Sequence, residues 1–172
     1  MIYTMNYLSP LGNIKFASDG DSLIGLWFEG QKYHGDTIFK EMELKEDLEI
    51  FKKSKKWIDS YFNKENPSID DIPLGPIGGE FRKDVWKILC EIPYGETISY
   101  GEIAKKIAKK RNLKSMSAQA VGGAVGHNPV SIIIPCHRVV GSNGSLTGYA
   151  SGVEKKIWLL EHEGLDLNKF KK

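Results

Sequence analysis

Cysteines are rare in this sequence and long apolar runs are absent, and each scarcity excludes a class of protein. Only Cys90 and Cys136 occur among 172 residues, so a disulfide framework is not expected and a reducing cytoplasm fits best. No apolar run approaches the about 20 residues that a membrane span needs, and the N-terminus shows no signal-peptide pattern. With 41% hydrophobic and 27% charged residues, the composition is that of a globular chain.

Charge is distributed unevenly along the chain. Residues 1–79 hold 9 Lys+Arg and 13 Asp+Glu, a net of −4, whereas residues 80–172 hold 15 and 9, a net of +6. Six cations and no acid fall within residues 105–114: Lys105, Lys106, Lys109, Lys110, Arg111 and Lys114. Such a run is commonly a solvated face, but one-sided charge is also what a contact with a phosphate backbone requires. Both interpretations stay open at this point.

The first part of the chain has the pattern of a small β-sheet followed by a helix. Turn-forming residues separate three short predicted strands, at residues 1–7, 13–17 and 23–28, which favours a β-meander. Apolar residues at helical spacing predict a helix from about Lys45 to Phe62, with Asn66-Pro67 as a stop signal. Residues 72–79 are rich in proline and glycine, and the predicted domains are therefore 1–76 and 77–172.

The second part changes to helical periodicity. Apolar residues from Phe81 to Ile92 recur at helical spacing up to Pro93. Ser99 and Glu102 have capping-box spacing ahead of a short amphipathic helix, and Ser117 can cap another, from Ala118 to about Gly126. Two short helices joined by a turn predict a helix-turn-helix. The predicted fold class is α+β: a β-meander with a helix, followed by a mainly helical domain.

The second short helix consists almost entirely of small residues. They are Ala118, Ala120, Val121, Gly122, Gly123 and Ala124. Each glycine weakens a helix by about 1 kcal/mol, so their presence indicates that another surface comes very close. A DNA groove and a tightly packed neighbouring helix are both compatible with this pattern.

The segment Ser131–Val140 carries the most reactive residue types. A predicted buried strand runs into Pro135, which is followed by Cys136, His137 and Arg138. A free cysteine is commonly a small core residue, and at an unperturbed pKa near 8.5 only about 3% of a thiol is ionised at pH 7. A neighbouring cation could lower that pKa. Neighbours in an extended strand point to opposite faces, so cooperation between the cysteine and the histidine needs a turn or a bridging water.

The stretch Ile134–Val139 resembles the active-site signature of the O6-alkylguanine-DNA alkyltransferase (methylated-DNA–protein-cysteine methyltransferase) family. Further matching stretches follow the family's order and approximate spacing: Phe81…Val85-Trp86, Ile92–Tyr100, Ala120–Ala124, Asn128-Pro129, Gly148-Tyr149 and Trp158–Gly164. The resemblance covers nearly all of residues 80–172. It implies a winged-helix-like second domain and, by analogy, an RNase H-like topology for the first.

The resemblance also implies the reaction. In a single irreversible turnover, Cys136 would accept a methyl or other alkyl group from O6 of guanine, or O4 of thymine, in double-stranded DNA. The base would be restored and the protein inactivated. A stacked guanine cannot be approached in line, so its nucleotide must be flipped out. The implied protein is a cytoplasmic monomer without cofactor or metal, and the cysteine-free first domain excludes a cysteine-containing zinc site there.

Family roles can be placed on matching residues. Cys136 corresponds to the acceptor nucleophile, His137 to the base that takes the thiol proton through a water, and Glu163 to the carboxylate that orients this histidine. Asn128 corresponds to the residue that fixes the active-site turn. Tyr100 corresponds to the phenol that hydrogen-bonds guanine N3 and donates a proton as the purine leaves.

Binding residues are implied in the same way. The backbone around Cys136, Val139 and the segment Tyr149, Ala150 and Ser151 would contact the guanine edge. The implied DNA contacts are Ser117, Ala118, Gln119, Ala120, Gly122, Lys105, Lys109, Lys110, Arg111, Lys114 and Arg138. Gln119 departs from the family, which commonly has an arginine there that fills the place of the flipped base. Glutamine is uncharged and shorter, so both stacking surface and phosphate attraction are reduced.

Two other classes of function use similar features. A Cys-His hydrolase would need the same residue types plus an oxyanion hole, and it would leave the basic run without a purpose. A helix-turn-helix protein that binds lesions without chemistry would lack the acceptor cysteine, which is present here. Cys90 is interpreted as a packing residue, and His34, His127 and His162 as structural or surface histidines.

Overall fold

The computed structural model describes residues 1–32, 42–146 and 148–170, so His34 lies outside the described residues. The first part of the chain forms a four-stranded sheet in the order β3-β2-β1-β4, with strands β1 (Ile2–Ser9), β2 (Gly12–Ser18), β3 (Leu23–Phe28) and β4 (Met42–Leu44). The first three strands are antiparallel neighbours, as the meander predicts. The short β4 is an addition that was not predicted, and it pairs parallel to β1.

Helix α1 (Glu49–Phe62) packs its apolar side against this sheet. Its buried residues include Phe51, Ile58 and Tyr61, which are fully enclosed. The helix begins four residues later than the predicted start at Lys45. The reason is local: the Lys45 amide donates to Thr4 O at 2.9 Å, which continues the sheet edge instead of starting a helix.

The chain divides into two compact units, each of which consists of two separate stretches of the sequence. The first unit comprises residues 1–78 with 129–133, and the second comprises 79–128 with 134–172. Within the first unit, Leu26 N donates to Pro129 O at 2.8 Å and Ser131 N donates to Leu26 O at 3.0 Å. A linear boundary near residue 76 therefore omits a segment that returns to the sheet.

The strand predicted at the start of Ser131–Val140 is not formed. Val130 makes an isolated bridge to Leu26, and residues 131–134 are buried as expected but irregular. Ile132 adopts φ 71°, in the left-handed region that a β-branched residue rarely occupies, and this reverses the chain. The segment that belongs to the first unit ends one residue later, at Ile133.

The second unit contains helices α2 (Glu80–Cys90), α3 (Tyr100–Lys110), α4 (Ala118–Gly126) and α5 (Val153–His162) and strands β5 (Ile98–Ser99) and β6 (Val139–Val140). The capping box at Ser99 and Glu102 and the Ser117 cap are both formed. Trp86 on α2 donates its indole N–H to Ala124 O at 2.8 Å and so fixes α4. The connection between α3 and α4 spans residues 111–117, longer than the 3–4 residues usual in a helix-turn-helix.

A two-residue parallel ladder brings the chemically interesting segments together. Ile98 pairs with Val139 and Ser99 with Val140. Tyr100 directly follows β5 and Cys136 lies three residues before β6, so in this parallel register the two residues lie beyond opposite ends of the short ladder. None of the helices in the described ranges has the length and apolarity needed to cross a membrane.

Candidate active site

Cys136, His137 and Arg138 form one turn of 3₁₀ helix directly after Pro135. Successive side chains of a 3₁₀ turn step by about 120°, so the cysteine and the histidine do not point in opposite directions as they would in a strand. Two hydrogen bonds to Ile134 O fix the start of this turn: Asn128 Nδ2 donates to it at 2.7 Å and Cys136 N at 2.8 Å. Asn128 is itself buried.

The Cys136 side chain is enclosed by groups that favour its thiolate. Only 7% of the residue is exposed, and this burial raises the pKa of the thiol. Interactions with Asn128, Lys156 and Tyr149 act in the opposite direction but do not outweigh burial, so the net shift of the thiol pKa is upward. The site therefore holds a protected thiol surrounded by polar partners that would stabilise negative charge on sulfur.

Glu163 is the centre of a buried hydrogen-bond network. Its Oε2 lies 2.6 Å from His137 Nε2, and both side chains are fully buried. Its Oε1 accepts from Arg138 Nε at 2.8 Å and from Gly95 N at 3.0 Å. Gly95 has φ 77°, and a Cβ there would lie 3.2 Å from Glu163 O. This position therefore requires glycine both for its conformation and for the close approach.

The network fixes the charge states of its members. Burial alone would raise the pKa of Glu163, but hydrogen bonds and charges from His137 and Arg138 outweigh it, and the net shift is downward. Burial lowers the pKa of His137 and the charges of Arg138 and Lys156 add to this, so the net shift is downward although Glu163 acts to raise it. At neutral pH the pair is thus an ionised carboxylate beside a neutral imidazole that can still accept a proton.

Arg138 departs from its predicted role as a DNA contact. Its side chain is 10% exposed and bonded to Glu163 through Nε at 2.8 Å and Nη2 at 3.2 Å. Its Nη1 donates to Ile92 O at 2.7 Å, and its guanidinium lies 5.7 Å from the centre of the Tyr94 ring. The cation compensates the buried carboxylate, and so its donors are used inside the site.

Tyr100 lies beside Cys136. Burial raises the pKa of the phenol, and the charge of the neighbouring Cys136 raises it further. A Cβ at Gly122 would lie 3.9 Å from the ring, and one at Gly148, where φ is 90°, would lie 3.0 Å from the hydroxyl. The phenol is therefore placed between α4 and the segment that precedes α5, with its hydroxyl in contact range of the backbone.

Lys156 on α5 is the functional candidate that sequence reasoning missed. Its side chain is fully buried, and burial lowers its pKa from 10.5 to about 8, while the Cys136 charge acts to raise it. The signal was present in the helix: Lys156 shares the spacing of Leu159, Leu160 and Glu163, which are all buried. A lysine at a core position of an amphipathic helix indicates a functional charge.

The remaining predicted substrate-binding residues occupy two segments. Val139 is fully buried in β6, where it pairs with Ile98. Tyr149 is buried, and Ala150 and Ser151 are half-buried in the turn that leads into α5. Gly152 N donates to Tyr149 O at 3.0 Å and closes this turn.

The predicted DNA-binding residues of α4 are at the surface. Ser117, Ala118, Gln119 and Ala120 are exposed, and Gly122 is half-buried. A Cβ added at Gly123 or Gly126 would meet nothing within 4 Å, so no neighbouring helix of the described structure requires these glycines. Tight packing within the protein therefore does not explain Gly123 and Gly126, whereas Val121 and Ala124 are buried on the packed side of the helix.

The basic run is exposed but not uniform. Lys105, Lys109 and Lys114 are exposed. Lys110 and Arg111 are also exposed, but both bind Asp84 on α2, at 2.9 Å and 2.8 Å respectively. Within the described ranges, no group of three or more His, Cys, Asp or Glu side chains is arranged to hold a metal ion.

The residues interpreted as structural have structural contacts. Cys90 lies at the end of α2, where burial and then the nearby Glu91 raise the pKa of its thiol to about 11. His127 Nδ1 lies 2.7 Å from Gly123 O at the end of α4. The His162 ring stacks on Trp158 with centroids 4.8 Å apart.

Comparison with known proteins identifies the family. Residues 1–76 match the ribonuclease-like domain of 6-O-methylguanine DNA methyltransferase, and residues 80–165 match the DNA binding domain of the same family. The chain is 42% identical to a methylated-DNA–protein-cysteine methyltransferase of Methanosarcina acetivorans over 95% of this chain and 99% of the relative. It is 40% identical to a protein of the same name from Haemophilus influenzae, over 94% and 86% of the two chains.

Solved structures agree with the sequence relatives. The Mycobacterium tuberculosis O6-methylguanine methyltransferase has a TM-score of 0.80 and 38% identity, covering 95% of this chain and 93% of that one. The OGT of the same organism in complex with DNA has a TM-score of 0.79 and 37% identity, covering 98% and 94%. The α+β class, with a ribonuclease-like and a DNA-binding domain, is confirmed, and the chain belongs to the 6-O-methylguanine DNA methyltransferase family.

Proposed function

We propose that this protein repairs DNA by accepting an alkyl group from O6 of guanine onto Cys136, once per molecule. One observation carries the proposal. The buried thiol of Cys136 is surrounded by Tyr100, Asn128 and Lys156, and the next residue is a histidine that is bound to a buried carboxylate. Family membership supports the reaction, and the geometry supports the assignment of its residues.

The first step is loss of the thiol proton. Glu163 engages His137 Nε2, so the nitrogen that takes the proton from Cys136 is Nδ1, through an intervening water. The imidazole is neutral because burial lowers its pKa, and this leaves it able to accept. The resulting imidazolium is stabilised by the ionised Glu163, and the thiolate by Lys156 and Asn128.

The second step is an in-line displacement at the alkyl carbon. The sulfur–carbon bond forms as the bond between carbon and O6 breaks, and the electron pair remains on the guanine ring system. The Tyr100 hydroxyl donates a proton to the departing purine and recovers one from His137 through solvent, so that the thiol proton ends on guanine. The thioether has no leaving group that the site can expel, and the protein is consumed.

DNA is bound through α4 and the basic run. The exposed small residues Ala118, Ala120 and Gly123 allow a groove to approach the helix backbone. Lys105, Lys109 and Lys114 supply charge for phosphates. The backbone of Val139 and of Tyr149–Ser151 contacts the edge of the flipped guanine. In this scheme residues 77–172 bind DNA and accept the alkyl group, and residues 1–76 support them.

The proposed function also includes the substrates, the oligomeric state and the location expected from the sequence. The substrate is double-stranded DNA that carries O6-alkylguanine, with O4-alkylthymine as a second substrate, and the protein acts as a monomer in the cytoplasm. The chemistry uses only side chains of this chain.

Intact mass measurement after incubation with duplex DNA containing one O6-methylguanine tests the proposal. We expect a gain of one methyl group per molecule, mapped to Cys136, and a burst that stops at one equivalent. Continued turnover without an adduct would favour a hydrolase, and DNA binding without an adduct would favour a lesion-binding protein. Either result would overturn the proposal.

A further inference from the structure

Asp84 on α2 binds two of the six cations in the basic run. Lys110 Nζ lies 2.9 Å from Asp84 Oδ1. Arg111 donates to Asp84 Oδ2 through Nε at 3.1 Å and Nη2 at 2.8 Å. Hydrogen bonds from Lys110 and Arg111 lower the pKa of Asp84, so the carboxylate stays ionised.

Arg111 is held by more than the carboxylate. Its guanidinium lies 5.5 Å from the centre of the Phe81 ring, one turn before Asp84 on the same face of α2. Arg111 directly follows the last residue of α3, where the terminal carbonyl groups of the helix favour a cation. These contacts orient the guanidinium towards α2.

The Asp84 carboxylate and a DNA phosphate present similar hydrogen-bond acceptors to an arginine. Both present paired oxygens to the planar fork of donors, with similar hydrogen-bond lengths. Exposed ion pairs add little to stability, and the side chains here are 49%, 35% and 22% exposed for Lys110, Arg111 and Asp84. Stabilisation of the fold is therefore a weak reason for placing the one acid of this cluster on two adjacent cations.

We infer that Asp84 acts as an internal competitor for DNA phosphate, holding Lys110 and Arg111 in the free protein and thereby weakening binding to DNA. The inference rests on the proposed function, since it takes the basic run to be the DNA-binding surface. Phosphate contacts do not depend on the base, so the competitor lowers affinity for damaged and undamaged duplex equally. Its effect is to limit the binding of bulk DNA while the recognition of the lesion is left to the active site.

Asp84→Asn tests the inference, with Glu80→Gln as the matched control. Both variants remove one negative charge from α2, but Glu80 is not part of the ion-pair cluster. We expect Asp84→Asn to bind undamaged duplex about 3- to 10-fold more tightly at 0.1 M salt, with a salt dependence steeper by about one to two counterions. Glu80→Gln should shift affinity much less and leave the slope unchanged. Equal changes in the two variants, or no gain in Asp84→Asn, would overturn the inference.

A second substitution shows whether the released cations cause the gain. Lys110→Ala with Arg111→Ala should reduce DNA affinity strongly in the Asp84→Asn background and only slightly in the parent. Equal losses in both backgrounds would overturn the inference, because the cations would then contact DNA despite Asp84. Methyl transfer to Cys136 is measured on the same proteins. Parent protein that fails to transfer overturns the proposed function, whereas normal transfer with an unchanged Asp84→Asn affinity overturns only the role of Asp84.

Discussion

Glu163 Oε2 lies 2.6 Å from His137 Nε2, and the same carboxylate pairs with Arg138 on its other side. The acid therefore serves two purposes. It orients a neutral imidazole, and it compensates a guanidinium that is almost wholly buried. A substitution that removes the charge of Glu163 but keeps the size of its side chain tests these two electrostatic roles without changing the packing.

Glu163→Gln should lower both stability and reactivity. The amide leaves the Arg138 charge uncompensated in a buried site, which destabilises by about 3–5 kcal/mol where one partner of a buried pair is lost. It also withdraws the carboxylate that stabilises protonated His137, so methyl transfer at pH 7 should slow by about tenfold or more. Urea denaturation and single-turnover kinetics measure the two effects.

The pH dependence distinguishes a proton relay from general damage. The deficit of Glu163→Gln should shrink as the pH approaches the pKa of the thiol, because ionisation then needs less help. Glu161→Gln is the control, since Glu161 is exposed on the same helix. If Glu163→Gln reacts at the parent rate at pH 7, Glu163 is not part of the reacting site.

Local signals in the sequence predicted much of this site. Ser99 with Glu102 and Ser117 indicated the starts of α3 and α4, and both caps are formed. The stretch around Cys136 identified the segment that carries the thiol through its resemblance to a family. These features depend on neighbours in the chain, so a single sequence can display them.

Features that depend on distant packing could not be predicted in the same way. Arg138 was expected on DNA from the family resemblance, but its partner Glu163 lies 25 residues away in the chain. The reversal at Ile132 was not predicted, because the β-branched residues Ile132, Ile133 and Ile134 favour a strand. Lys156 could have been recognised, because its helical spacing predicted a buried position.

Cys136→Ser should abolish methyl transfer and leave lesion binding largely intact. Binding relies on backbone, shape and phosphate contacts, whereas the transfer needs the sulfur atom. Cys90→Ser is the matched control: burial raises the pKa of the Cys90 thiol to about 11, so Cys90 should not accept a methyl group and its loss should leave transfer unchanged. Intact mass after exposure to methylated duplex measures both variants, and stoichiometric transfer in Cys136→Ser would remove this cysteine from the acceptor role.

Lys156→Met should stabilise the protein at neutral pH, and its advantage should disappear in alkali. The folded pKa is lowered to about 8 from 10.5, so between these values the unfolded chain binds more protons and stability rises with pH. The shift corresponds to about 3 kcal/mol of stability over that window. Urea denaturation from pH 7 to pH 10.5 compares the two proteins.

The comparison is best made in a Cys136→Ser background, because the raised pKa of the folded thiol contributes the opposite trend. If the free energies of unfolding of the proteins with and without Lys156→Met change with pH in the same way, folding does not lower the pKa of Lys156. With Cys136 restored, Lys156→Met should transfer methyl groups more slowly at pH 7, and Lys156→Arg should recover part of the rate. These results would show that the charge of Lys156 lowers stability but stabilises the Cys136 thiolate.

Gln119→Arg tests the placement of α4 on DNA. Gln119 is exposed in the first turn of α4, at the position where the family resemblance leads us to expect an arginine. If this position faces the base stack, the longer planar side chain should support nucleotide flipping. We expect tighter binding to duplex and faster repair in duplex, with a salt dependence steeper by at most about one counterion.

Free O6-methylguanine base is the internal control, because it needs no extrusion from a stack. Its rate of transfer to Cys136 should be the same in Gln119→Arg and in the parent, while the rate with methylated duplex increases. Gln119→Lys adds the same charge without the planar group, so it should reproduce the tighter binding but not the full gain in repair rate. Equal changes with base and duplex would move Gln119 away from the base stack. The DNA-binding surface would then be centred on the exposed lysines of α3 and the segment that follows it.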